Sequence, residues 1–158
     1  MPAILPVFLD GTCFFAAGTK SYVMKKTINL WAVIVSAVAS TALGFLWYMV
    51  LFREPYVRGL DRTKEQLDRG PNGMWASIIQ LGGNMVMIYI LAMLMQQTAK
   101  DDVGGGVKLA VILWAGFVAC VIGPMYAFEA FPFYFFLITT GYTLASMVLS
   151  GAILGAWK

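Results

Sequence analysis

Four long apolar stretches without a charge set the pattern of this chain, at about 28–52, 74–95, 109–128 and 131–157. Each reaches the roughly 20 residues that a helix needs to cross a hydrocarbon core. Apolar positions run on within them instead of alternating, which excludes the period-two strands of a membrane barrel. Helices satisfy their own backbone hydrogen bonds in lipid. The pattern therefore predicts an all-α fold, a membrane-embedded bundle of four transmembrane helices with one short surface helix. Rings gather where the stretches begin and end: Trp31, Trp47, Tyr48, Trp75, Tyr126, Phe131, Phe133, Tyr134 and Trp157. They read as anchors at the headgroup level.

The surface helix is expected at 63–69, in the first connector. Thr63 and Gln66 have capping-box spacing, and Lys64/Asp68 and Glu65/Arg69 put opposite charges four apart on one face. Gly70-Pro71 ends it. It reads as a solvated connector, with docking of a partner or of anionic lipid heads as the functional alternative. The second connector ends in Gly104-Gly105-Gly106 and reads as a flexible hinge, and its Asp101-Asp102 lacks a calcium-loop series. Pro124 crowds the Cys120 carbonyl, so a kink or a helix end is expected there. Residues 1–23 hold Pro6, Asp10 and Gly11 and are too short to span. They read either as an extension on the membrane or a partner, or as an artefact of start-site choice, ahead of a transmembrane domain over 24–158.

Composition sharpens this. Sixty per cent of the residues are hydrophobic, 12% are charged and the mean hydropathy is +0.77. A soluble domain carries about twice that share of charge. There is no histidine, which removes the usual general base and the commonest metal ligand. Cys13 and Cys120 lie far apart and form no metal pattern. No phosphate-binding glycine loop is present. A net charge of +3 gives no case for nucleic acid. No cofactor, no metal site and no catalytic residue are expected.

An even number of spans puts both termini on one side. That side carries Lys20, Lys25, Lys26, Lys100, Lys108 and Lys158, against Arg53, Arg58, Arg62, Lys64 and Arg69 on the other. The positive-inside rule leans toward cytoplasmic termini.

Polar and small residues inside the spans carry what chemistry there is. Ser36, Ser40 and Gly44 recur every four residues on the first, and Gly151 and Gly155 on the fourth, below Gly141 and Ala145. Such stripes let helices approach closely, so the first and fourth are expected to pack, within one chain or across a dimer. Gly82-Gly83 at mid-span of the second are read the same way. Gln80 and Asn84 share one face there and need partners in hydrocarbon, with Ser36, Ser40, Thr41, Thr139 and Thr140 as candidates. They read as an interhelical clamp or as part of a small-molecule site with Tyr89, Cys120, Tyr142 and Glu129. Glu129, among Phe128, Phe131 and Phe133, is expected to titrate high unless Arg53 or Arg58 pairs with it. The methionines crowding the second span read as packing or lipid-facing, not as a copper site.

Several short motifs then converge. They are Gly44-Phe45-Leu46-Trp47-Tyr48, the 60–67 stretch, Phe128-Glu129, Gly141-Tyr142, and 151–157. As an ordered set they resemble a family of small bacterial four-helix membrane proteins catalogued as a domain of unknown function. The resemblance covers about 25–158. Members often carry a base soon after the acid matching Glu129, where this chain has Ala130-Phe131-Pro132. The resemblance implies the four-span layout and a bacterial cytoplasmic-membrane location, and no activity.

The expected function is therefore that of a non-enzymatic membrane protein acting through contacts in the bilayer, as a homo-oligomer or an accessory subunit of a larger complex. The alternative is binding or transport of a small apolar or weakly polar molecule in an intramembrane cavity.

Overall fold

The computed structural model describes residues 28–63, 65–66, 70, 73–98 and 102–157. The proposed extension at 1–23 and the Lys64/Asp68 and Glu65/Arg69 pairs lie outside those residues, wholly or through one partner. Among the described residues six α-helices of eight residues or more run in order: α1 (Leu30–Phe45), α2 (Arg53–Leu60), α3 (Gly73–Gln97), α4 (Val103–Leu113), α5 (Cys120–Phe128) and α6 (Phe133–Ala156). Wide π-helical turns extend α1 through Leu46–Leu51 and join α4 to α5 through Trp114–Ala119. Among the described residues four helical stretches are long and apolar enough to cross a membrane: Leu30–Leu51, Gly73–Gln97, Val103–Phe128 and Phe133–Ala156. The chain has the fold of a multi-pass membrane protein.

Local chemistry fixes the helix ends. The Asn29 side chain accepts from the amides of Trp31 and Ala32 and caps α1. Asp102 caps α4 by accepting from the Gly105 amide. The Gly104–Gly106 run is thus the first turn of the third span and not a hinge. The reason is packing: a Cβ on Gly106 would strike the Met95 side chain and the Gly151 backbone. Only glycine admits that approach, and it outweighs the weak helix propensity of the triplet.

Pro124 does not end its helix. α5 runs through it, and the irregularity lies one turn earlier, in the Trp114–Ala119 turn. Such π-turns are places where a helix bends. Α second departure is α2, which the charged connector conceals. Its proline, Pro55, stands in the first turn, where proline is tolerated. The capping box one step later forms as expected: the Thr63 amide donates to Gln66 and the Gln66 amide to the Thr63 hydroxyl.

α6 is the centre of the bundle, in contact with each of the other helices. The Leu30 end of α1 and the Ala156 end of α6 lie together, since Leu154 packs against the Val33 cluster. Two small cores flank the seams: Val33, Ala37, Ile88 and Ala92, then Leu91, Met95, Ala110 and Met147.

Candidate functional site

The residues singled out by sequence fall into three places. The first is a polar chain across the bundle. The Gln80 amide donates to Asn84 at 3.4 Å, Asn84 donates to the Tyr142 hydroxyl at 3.4 Å, and that hydroxyl donates to the Ser40 carbonyl at 3.2 Å. Asn84 and Tyr142 are buried while Gln80 is exposed. The partner of the amides is Tyr142, not the threonines of α6. Thr139 and Thr140 spend their hydroxyls on carbonyls of their own helix. Tyr89 and Cys120 stand on exposed faces away from this chain of bonds.

The serine and glycine stripes divide their work. Ser40 and Ser150 share a hydrogen bond of 3.1 Å between α1 and α6. Gly44 clears space for Tyr142, whose hydroxyl would stand 3.0 Å from a Cβ there. Ser36 and Ser146 are buried too, but their hydroxyls have no partner among the described residues. Gly151 and Gly155 do not serve α1. Cβ atoms there would meet the backbones of Gly106 and Asp102, so this pair seats the third span. Among the described residues Gly82 and Gly83 pack against nothing, since no atom lies within 4 Å of a Cβ placed there. Residues 73–83 of α3 are exposed throughout.

Two indoles hold α6 by its backbone, a feature the sequence reading missed. Trp47 donates to the Ile138 carbonyl at 3.0 Å, and Trp114 to the Thr140 carbonyl at 2.8 Å. Trp47 is therefore an interhelical clamp, half-buried over Gly141. Carbonyl acceptors leave no mark in a sequence. The tryptophans were the only available signal.

The third place is the end of the bundle carrying α2. A ring network joins Tyr142, Tyr48, Tyr56 and Phe135, with centroid separations of 5.2, 4.7 and 5.4 Å along the path. Gly59 lets α2 lie on α6, since a Cβ there would stand 2.6 Å from the Phe135 ring. Burial, and then the neighbouring Tyr126, push the Tyr56 hydroxyl above its ordinary titration range.

Beside α2 the third span ends in a Schellman motif. The Phe131 amide donates to the Tyr126 carbonyl, the Ala130 amide to that of Ala127, and the Phe131 and Tyr126 rings meet at 5.1 Å. Alanine holds the left-handed position at φ 55°, where glycine is usual. Asp61, at φ 41°, ends α2 in the same conformation. The two turns face one another across a cleft of about 890 Å³, lined by residues 58–62, Gln66 and residues 129–132. Glu129 is exposed there and not enclosed by its phenylalanine neighbours. Arg58 lines the same cleft and Arg53 does not. Among the described residues Glu129 forms no ion pair, and no cluster of side chains could hold a metal ion.

Comparison with known proteins bears on residues 31–155, which match the family described as "Protein of unknown function (DUF1761)". The chain belongs to that family. Neither the curated proteins nor the solved structures provide a match.

Proposed function

We propose that this member of the DUF1761 family is a non-enzymatic protein of the bacterial cytoplasmic membrane, with both termini cytoplasmic, that works as a homo-oligomer. The observation that carries this reading is the solvent-exposed first half of α3. Every residue from 73 to 83 is exposed, and Gln80 lies among them near mid-span. Among the described residues its carboxamide makes one hydrogen bond, to Asn84, which leaves a carbonyl and an N–H. Hydrocarbon offers neither group a partner. A second copy offers both, because two carboxamides related by a twofold axis pair reciprocally. Gly82 and Gly83, open on the same half-helix, permit close approach of the two backbones.

Support for a role without catalysis comes from the candidate reactive groups. Cys120 and Glu129 stand about 13 Å apart along the helix, and the chain has no histidine to activate either.

The test is disulfide trapping in native membranes. Gly82→Cys, in a chain whose Cys13 and Cys120 are replaced by serine, is expected to yield a covalent dimer on oxidation. Adding Gln80→Leu is expected to abolish it. Only monomer from Gly82→Cys and from Ile79→Cys would reject the reading.

A further inference from the structure

The cleft between α2 and the 129–132 turn has no part in the oligomer reading. Its volume of about 890 Å³ is that of a ligand site. Arg58, Asp61 and Arg62 line one wall and Glu129 the other. Among the described residues none of these four charged groups is engaged in an ion pair or a side-chain hydrogen bond. Both signs of charge are thus present in one recess and unpaired among the described residues. Guanidinium groups take phosphate oxygens through forked N–H donors. A carboxylate accepts from a primary ammonium. A ligand carrying both a phosphate and a primary ammonium answers the whole set.

Position selects the source of that ligand. α2 begins just beyond the end of the first span, and the 129–132 turn joins the third span to the fourth. The cleft therefore sits where spans meet the headgroup layer. Next to it Phe128 is 91% exposed and Phe133 71%. These bare rings flank the 129–132 wall in sequence and offer apolar surface that acyl chains would cover. The two left-handed, non-glycine residues in the walls, Asp61 and Ala130, hold strained turns that shape the recess.

We infer that this cleft is a headgroup site for an ethanolamine phospholipid, with Arg58 and Arg62 on the phosphate and Glu129 on the ammonium.

Native mass spectrometry of the detergent-purified full chain, offered equal amounts of synthetic phosphatidylethanolamine, phosphatidylcholine and phosphatidylglycerol, tests it. The ethanolamine lipid is expected to be retained about tenfold over each of the others, the size of one charge-assisted hydrogen bond. Glu129→Gln is expected to erase that preference, and Arg58→Gln with Arg62→Gln to reduce retention of every phospholipid. Equal retention by the native chain, or a preference untouched in Glu129→Gln, overturns the assignment. Displacement of the lipid by soluble phosphoethanolamine overturns the lipid and assigns the recess to a free phosphoester. Should a variant fail to fold, a photoactivatable ethanolamine-lipid headgroup on the native chain decides. Labels at 58–62 and 129–132 support the site, and labels elsewhere overturn it.

Discussion

Gly106 and Gly151 bring two helix backbones into direct contact: a Cβ on Gly151 would lie 2.6 Å from the Gly106 carbonyl oxygen. Nothing in that contact is a flexible side-chain end, so nothing there can yield cheaply. Gly151→Leu is expected to destabilise the bundle by more than the ~1–3 kcal/mol typical of overpacking, because whole helices must separate. Gly82→Leu, on an open face, is the contrasting variant and should leave the monomer's thermal unfolding unchanged. Melting both in detergent checks the pair.

The α1–α6 seam holds four buried serines, of which two bond to each other and two have no partner among the described residues. Ser40→Ala is expected to cost about 0.6 kcal/mol, the mean for interhelical hydrogen bonds in membranes. Ser146→Ala removes an unpartnered hydroxyl and is expected to be neutral or stabilising. Denaturation from the folded state in mixed detergent would rank them. A larger loss at Ser146 than at Ser40 would contradict the bonding pattern.

Ala130 occupies the left-handed position of a Schellman motif. Ala130→Gly is expected to raise stability by about 1 kcal/mol, since glycine meets no Cβ penalty there. A higher melting temperature is the readout, and the Asp61 turn, which ends α2, should be unaffected.

Tyr56 titrates above the ordinary tyrosine value because it is buried, with Tyr126 adding to the effect. A group whose folded pKa is raised contributes stability that is fully present below its unfolded pKa and is lost as pH rises through the folded one. The packing of α2 on α6 should therefore weaken only at strongly alkaline pH. Tyr56→Phe should flatten that alkaline limb, as followed by melting temperature against pH.

Much of this fold was legible because lipid imposes a coarse rule. Uncharged runs of sufficient length mark spans, and Ser36, Ser40, Gly44, Gly151 and Gly155 all lie in packed seams. What failed was assigning partners. Gly104–Gly106 read as a hinge because composition alone cannot tell a glycine that loosens a chain from one that admits a neighbour's backbone. Gly82-Gly83 have no packing partner among the described residues, so a packing role for them needs a second copy. α2 was missed because Pro55, Gly59 and its charges argue for a loop, and its fit against Phe135 is a tertiary fact. Of the proposed site residues, Gln80, Asn84 and Tyr142 do come together, as a hydrogen-bonded chain. Glu129 was noticed for its isolation in the sequence. The recess it lines depends on two turns some seventy positions apart, which no local pattern encodes.

The helix in contact with the other five is also synthesised after them. Until Phe133–Ala156 emerges, the earlier segments lack the surface that orders them, and Gly106, Trp47 and Trp114 have nothing to grip. Assembly must then be largely post-insertional, and a nascent chain halted before residue 133 should be an early target for membrane quality-control proteases.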